Sequence, residues 1–487
     1  MNVTSAPPRR LDCTERPPIN RLRVGLQVDN CPPALQSVWN AKQVALKIEK
    51  LADSDVFVFF RGTVALFLVD LMCTDPLFAL KKRTMPRVIS NGDSHPLNFG
   101  TMVLDNGGLV WGVNDFDQSF ATPFSWDLKR GATGTAVACI AQGWNTVVCR
   151  AAVTAFVRAY VELASATSVP LTGQDRFLEG SRATFNAPVI NELFARARKA
   201  ESDAEILKWL QEDLSVDVQN DRFIQSDKVT PLNDSVVPRF QAAIDEYLYN
   251  GVAALMLYPP GDFWRVLAAA YVVGSGTGSI GMDRFYVLLR GKKSTYGGRI
   301  ILEMKQEIHS SLEVLFKYKF SEQDQGKRAV DAERGAYPYA NPFYGWTNFN
   351  NHAYIIREKS KHEKSVQLFK LPAQSYMDYS MNCGRGLAMY HFKIRCPDHL
   401  CRLDDPVAAD METWKEVKAW ITSYPQGGLD GFANYVIDWA NAEAERQIAE
   451  WTMLRSFVRE SRLHGTSLLD LLDTPRDGSV QPVNCNA

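Results

Sequence analysis

The segment Asn91-Gly92-Asp93-Ser94-His95-Pro96-Leu97-Asn98 sets an aspartate and an asparagine five positions apart in a short polar loop. Sixteen residues after Asn98 a second group begins, Asn114-Asp115-Phe116-Asp117, directly behind the apolar run Leu109-Val110-Trp111-Gly112-Val113. Side chains two apart on an extended chain project to the same side, so Asp115 and Asp117 stand together. Two adjacent carboxylates repel unless a cation lies between them, and hard oxygen ligands of this kind suit Mg²⁺. Phosphoryl transfer calls for this set of groups: one Asp positions or deprotonates the acceptor hydroxyl, while an Asn and a second Asp hold the metal that bridges the nucleotide phosphates. On this reading Asp93 orients the acceptor, and Asn98, Asp115 and Asp117 are the metal ligands. Any one Asp or Asn at a strand end by default caps a turn; the order and spacing of the two motifs together carry the chemistry.

A third segment, Gly274-Ser275-Gly276-Thr277-Gly278-Ser279-Ile280-Gly281, contains G-x-G-x-x-G at Gly276, Gly278 and Gly281. Alone it is shared by dinucleotide-binding folds and kinase phosphate loops. A dinucleotide motif opens a helix, whereas Arg284-Phe285-Tyr286-Val287-Leu288-Leu289-Arg290 is β-rich. A glycine loop joining two antiparallel strands is the kinase arrangement, in which backbone N–H groups, including those near Gly274 and Ser279, cover phosphates. The next strand, Ile300-Ile301-Leu302-Glu303-Met304-Lys305, ends in a lysine where the partner of the nucleotide phosphates is expected. Glu307, Glu313 and Glu333 are all candidate partners for Lys305, and the sequence does not choose among them.

The elements that must position these groups are legible in part. Residues 35–53 and 63–72 have helical apolar spacing, followed by short strands at 87–90, 99–104 and 109–113. From Trp126 to about Ala164 the chain is again helical and apolar, and 191–213 is an amphipathic charged helix. Strands follow near 264–273, 284–290 and 299–305, and 408–462 is long and helical. Two strand-rich patches embedded in helix make the chain α+β. The first 35 residues hold six prolines and the last fifteen are polar, so both ends read as loose tails.

Composition bounds the rest. The chain has 487 residues, 54 Lys+Arg against 55 Asp+Glu, and 46% hydrophobic residues, values of an ordinary globular protein with room for two or three lobes. Its near-zero net charge gives no reason to expect a nucleic-acid partner. The longest apolar stretch, Val56 to Met72, carries Arg61 and Asp70 and is too short and too charged to span a bilayer, so no membrane association is expected. The opening residues have no apolar segment of the secretory type, and nine scattered cysteines without a zinc pattern read as reduced thiols of a cytoplasmic protein.

Together these motifs resemble the protein-kinase-like superfamily with its parts in a different order, the catalytic and metal loops first and the glycine loop and lysine about 180 residues later. That order resembles the bacterial and fungal family labelled domain of unknown function 2252. The likeness runs through Phe60-Arg61-Gly62 with Asp70, then Gly92-Asp93-x-His95-x-x-Asn98-Phe99-Gly100, Asn114-Asp115-Phe116-Asp117 and Pro123-Phe124-x-Trp126-Asp127-Leu128-Lys129-Arg130. It continues with the glycine loop and Lys305, Arg328-Ala329-Val330-x-x-x-Arg334, and Cys383-Gly384-x-x-Leu387-Ala388-x-x-His391. Several of these also look like the aminoglycoside/choline kinase branch, whose L-A-x-x-H helix precedes the catalytic loop; a circular permutation would place it near the C-terminus, as here. The chain departs from the family at Gln118, where Glu is usual, at Thr122, where Gly is usual, and at Gly131, where an apolar residue is usual.

The resemblance implies a two-lobed, protein-kinase-like α+β fold, circularly permuted. A helical lobe over 36–255 would carry the catalytic and metal loops, a strand-rich lobe over 256–375 the nucleotide, and 376–472 would return to the helical lobe, with tails at 1–35 and 473–487. It implies ATP and Mg²⁺ as cofactors and phosphoryl transfer to a small-molecule or protein hydroxyl. Transfer of AMP by the same site, or nucleotide binding without catalysis, are the alternatives, and Gln118 favours the latter mildly. Among the remaining residues, Asp127 is expected to cap its helix and support the metal loop, and His391 to be a satisfied core histidine. His95 either contacts acceptor or phosphate or orders its loop. Arg61 and Arg334 pair with carboxylates or reach a phosphate, and the aromatic group Tyr337, Tyr339, Phe343, Tyr344, Trp346 and Phe349 is expected to pack or to form a partner surface, with a substrate cleft as the alternative.

Overall fold

The computed structural model of the chain describes Leu22, Leu26 and residues 41–79, 85–105, 107–166, 187–198, 203–273, 282–292, 298–316, 325–337, 341–393 and 413–468. Helices and strands alternate in blocks, so the architecture is mixed α+β. Helices α1 (Ala41–Asp53), α2 (Val56–Gly62) and α3 (Val64–Thr74) come first. Asp55 caps α2 by accepting from the N–H groups of Phe57 and Val58, two donors a first turn leaves orphaned.

Four short strands follow: β1 (Arg87–Ser90), β2 (Phe99–Val103), β3 (Leu109–Val113) and β4 (Phe120–Pro123). They pair as nested antiparallel hairpins, Phe99 opposite Val113 in the inner pair and Ser90 opposite Phe120 in the outer one. Residues 91–98 and 114–119 are therefore the two connections between the pairs, and the nesting alone brings them side by side. The stretch from Trp126 to about Ala164, expected to be helical, is two helices, α4 (Phe124–Ala141) and α5 (Thr146–Ser165), with Asn145 capping α5 through Val148 N. The charged stretch expected as one helix likewise contains α6 (Pro188–Arg198) and α7 (Asp203–Glu212).

Strands β5 (Val216–Asp217), β6 (Arg222–Phe223) and β7 (Val229–Pro231) lead to α8 (Val237–Tyr249), then β8 (Val266–Val272), β9 (Arg284–Leu289) and β10 (Ile300–Glu307). After α9 (Ser311–Phe316) and α10 (Gln325–Ala336) come β11 (Gly345–Phe349) and β12 (His352–Glu358). The helices α11 (Ala373–Lys393), α12 (Thr413–Thr422) and α13 (Gly428–His464) complete the chain, the last two dividing the C-terminal stretch expected as one long helix.

Strands β7 to β12 form one antiparallel sheet in the order β11-β12-β10-β9-β8-β7. Its side chains alternate as a strand period of two requires. Val287, Leu302, Met304 and Ile356 face α8 and pack on Phe240, Ile244 and Tyr247. On the opposite face Ala268, Ala270, Tyr286, Leu288 and Ile301 pack against Leu210 of α7 and Phe223. Farther along that second face β10 presents Glu303, Lys305 and Glu307.

The largest core joins α2 to α5, the nested hairpins, α10, α11 and α13. Leu22 and Leu26, within the proline-rich opening, are fully buried beside Val44 and Ile48 of α1 and Leu454 of α13. Against the expectation of reduced thiols, Cys139 at the end of α4 and Cys149 in α5 are joined as a disulfide, and Cys73 is disulfide-bonded too. No single described helix is long and apolar enough to cross a membrane; α2 and α3 together have that length and composition, contrary to the expectation for this stretch, but are bent by 85° at their junction.

Candidate functional site

The loop 91–98 is fixed from below by Asp127. Its carboxylate accepts from Asn91 N at 2.7 Å and Gly92 N at 3.0 Å, and its Oδ2 lies 3.0 Å from His391 Nε2. His391 Nδ1 is in turn 2.8 Å from the Tyr160 hydroxyl, all of it buried. Asp127 thus lies inside α4 and ties down the loop; the N-cap of that helix is Pro123, so the expected capping role is not the one it plays. Gly92 has φ +79°, and a Cβ there would come within 2.2 Å of Gln118 O, so the approach of the two connections requires glycine.

Asp93 faces Arg130. The guanidinium donates from Nε to Asp93 Oδ1 at 2.9 Å, places Nη2 2.8 Å from the same oxygen, gives Nη2 to Phe60 O at 2.7 Å, and stacks 3.6 Å over the Phe60 ring. Burial raises the Asp93 pKa and Arg130 and Arg61 oppose it. Asn98 donates its side-chain amide to Asp93 O at 2.7 Å, which leaves its amide oxygen for a ligand. His95 is buried (2% exposed), and burial together with Arg61 holds its pKa well below the ordinary value. Its ring nitrogens lie 3.1 Å from Arg61 Nε and 3.2 Å from Leu97 N; a neutral imidazole accepts at only one, and either bond orders the loop.

The metal-type motif meets this loop directly, through Asn114 N donating to Asn98 O at 3.2 Å and Asn91 donating to Asp115 O. Lys305, far along the chain, reaches it from β10: its ammonium contacts the Asp117 carboxylate and lies 3.9 Å from Asp115 Oδ1. None of the three glutamates considered is the ion-pair partner. Glu313 lies 3.7 Å from Arg328 and 3.3 Å from His309, and Glu333 accepts from Asn341. Glu307 stands beside Asp117 and, by burial and that charge, is pushed well above the usual carboxyl range. Burial and the neighbouring Asp117 raise Asp115, whereas Asp117 stays low because Lys305 outweighs burial there. Burial works against the ammonium of Lys305, but the surrounding Asp115, Asp117 and Glu307 raise its pKa.

Among the described residues no three His, Cys, Asp or Glu side chains converge as a metal site. The donors shown together are the carboxylates of Asp115 and Asp117, both beside Lys305, with Asn98 joined to them through the bond from Asn114 N to its main-chain oxygen. Asp117 Oδ1 is buried and meets no fixed donor, its neighbours besides Lys305 being the carboxyls of Asp115 and Glu307. That set fits Mg²⁺, which keeps several waters and takes one or two carboxylates. Gly274, Gly276, Gly278, Ser279 and Gly281 lie outside the described residues; the flanking strands β8 and β9 are antiparallel neighbours, Tyr271 opposite Phe285.

A family model described as an uncharacterized protein conserved in bacteria, domain of unknown function 2252, matches residues 40–457. The chain belongs to this family. Neither a curated protein nor a solved structure matches it. The match in this domain of unknown function 2252 chain spans every site residue from Asp93 to Lys305.

Three residues contribute through partners that their types do not announce. Arg130, in the second turn of α4, pairs with Asp93, and an arginine on the helix that follows an acidic loop is a readable signal of such a pair. Gln118 accepts from Ser311 N at 2.8 Å and so links the metal motif to α9. Arg328 binds backbone carbonyls, which leave no trace in sequence. Arg334 gives Nη2 to Tyr344 O at 3.0 Å, and the Tyr337 hydroxyl accepts from Val113 N at 3.1 Å. Tyr337, Phe343, Tyr344 and Phe349 are buried and Trp346 is half-buried, all packed; Tyr339 lies outside the described residues.

Proposed function

We propose that this chain is a Mg²⁺-ATP-dependent phosphotransferase of a circularly permuted, two-lobed protein-kinase-like fold, acting on a hydroxyl of a small molecule or protein. One observation carries the reading: Lys305 meets Asp117 and Asp115 beside the loop of Asp93 and Asn98, although 188 positions separate Lys305 from Asp117. A glycine-rich segment between two antiparallel strands, then a strand with a lysine, then a helix is the order of a kinase nucleotide half. An Asp, an Asn five residues on and a following Asp are the parts of its catalytic and metal loops. In this chain the second set comes first.

Asp93, held by Arg130, would orient the acceptor hydroxyl and take its proton. Asn98, Asp115 and Asp117 would hold Mg²⁺, which neutralises charge on the transferring phosphate oxygens when bound. Lys305 would exchange its contact with Asp117 for the nucleotide phosphates.

Thermal unfolding with and without Mg²⁺-ATP tests the reading on wild type, Lys305→Ala and Asp115→Ala. Ligand at 100 times its Kd stabilises by about 2.7 kcal/mol, and a shift of that size in wild type that both variants lose is expected. No shift at millimolar ATP overturns the nucleotide site. Label from the γ-phosphate on the acceptor is expected; label from the α-phosphate would make the chemistry AMP transfer instead.

A further inference from the structure

Arg328 belongs to α10, and its side chain is buried, with 1% exposure. Its guanidinium donates from Nη2 to Asp117 O at 2.7 Å and to Ile308 O at 3.2 Å, from Nη1 to Ser119 O at 2.7 Å, and from Nε to Gln325 Oε1 at 2.8 Å. The acceptors come from three segments: the metal motif, the turn after β10, and the first turn of its own helix. Glu313, 3.7 Å away, balances the charge. Desolvating a guanidinium is costly, and a planar fork with rigid donors fixes the spacing of what it binds in a way a flexible ammonium does not.

A second clasp is independent of the first. Gln118 Oε1 accepts from Ser311 N at 2.8 Å at the start of α9. Asp117, which ends the metal motif, and Gln118 and Ser119, which follow it, are thus all held from the side of α9 and α10. The Asp117 carboxylate itself is held by Lys305 from β10.

We propose that Arg328 is a positioning residue for Asp117: it sets where that carboxylate stands against Lys305, and through it α10 controls how well the site takes a divalent cation. The inference rests on the Mg²⁺-nucleotide reading above. A merely structural arginine would change stability and leave cation affinity alone, so the two are separable.

The experiment uses the full chain as wild type, Arg328→Met, Arg328→Lys and Gln118→Leu. Two quantities are read: the Mg²⁺ concentration that gives half of the ATP-dependent thermal shift, and free Mn²⁺ by electron paramagnetic resonance without nucleotide. Arg328→Met is expected to raise both midpoints at least about tenfold, Gln118→Leu about threefold, and Arg328→Lys to fall between wild type and Arg328→Met. Folded Arg328→Met and Gln118→Leu with wild-type midpoints overturn the proposal. If Arg328→Met does not fold, Gln118→Leu decides alone, and a wild-type midpoint in it is the overturning result. Wild type that binds Mn²⁺ but shows no ATP shift refutes the phosphotransferase reading, while the Mn²⁺ midpoints of the variants still decide the role of Arg328. Wild type that binds neither overturns both.

Discussion

At Asp93 one carboxylate must be both anchored and available. Arg130 holds Oδ1 with two nitrogens, and Arg130 itself is locked by Phe60 O and by stacking on the Phe60 and Phe67 rings. The side chain of Asp93 nevertheless keeps 15% exposure, and the neighbouring His95 is kept neutral by burial, so the charge next to Asp93 comes from arginine. On the proposed phosphotransferase reading Asp93 is the base, and a base so placed contributes through proton transfer and orientation, worth about 10²- to 10⁴-fold in rate. Asp93→Asn is therefore expected to cut turnover by that factor while leaving the Mg²⁺-ATP thermal shift unchanged. Turnover assays beside ligand-dependent unfolding check this, and equal loss of both would make Asp93 a structural or metal residue. The grouping at this scale was legible in part, because Asp93, Asn98, Asp115, Asp117 and Lys305 stand out by kind and spacing, and the structure sets Lys305 beside Asp115 and Asp117. What was not readable is who holds them, since Asp127 and Arg328 act on main-chain N–H and C=O groups that every residue carries.

Helix packing beneath the loop depends on absent side chains as much as on present ones. A Cβ on Gly384 of α11 would come within 2.0 Å of Phe156 O on α5, so the two helices touch backbone to backbone. Helix α11 also carries Tyr379, whose hydroxyl donates to Pro96 O at 2.8 Å in the site loop, and His391, which backs Asp127. Gly384→Ala is expected to force the helices apart and cost about 1–3 kcal/mol or more, read as a lowered urea midpoint with unchanged slope. A wild-type midpoint would mean that the pair relaxes without strain. Elements whose own period was strong, β9 and β10 among them, could be found from sequence. The hairpin of β11 and β12 was missed, although its turn Asn350-Asn351 has φ of 52° and 66°, the left-handed pair that two-residue hairpins demand. Asn-Asn is a usable sign of that turn, and Gly345-Trp346-Thr347-Asn348-Phe349 alternates as a strand should. The α4–α5 break was hidden for the opposite reason: both sides are so apolar that one buried helix and two read alike until Asn145 is taken as a cap.

At the scale of the whole chain, α13 is the strut that joins the N-terminal helices to the rest, and it buries charge to do so. Glu443 is 0% exposed; Arg446 donates to it at 2.7 Å and Gln447 at 2.9 Å, while Gln447 also reaches Asp70 of α3 at 3.2 Å. Burial, and after it the charge of Asp70, push the Glu443 pKa from 4.5 to about 8, more than Arg446 can offset. Between those two values the folded chain binds a proton at Glu443 that the unfolded chain does not, so ν_U − ν_N is negative and stability falls as pH rises. The protonated carboxyl stabilises fully below the unfolded value, and that contribution is lost as pH climbs through the folded one. Glu443→Gln has the shape of the neutral form at every pH. It is expected to match wild type at about pH 5 and to exceed it at about pH 9, flattening this part of the profile in urea titrations. Parallel profiles for the two proteins would mean that Glu443 is already ionised in the fold, with Arg446 as its full counter-charge. In that case the strut is held by a buried ion pair rather than by a neutral acid, and removing its partner by Arg446→Met, rather than a change of pH, would be what loosens it.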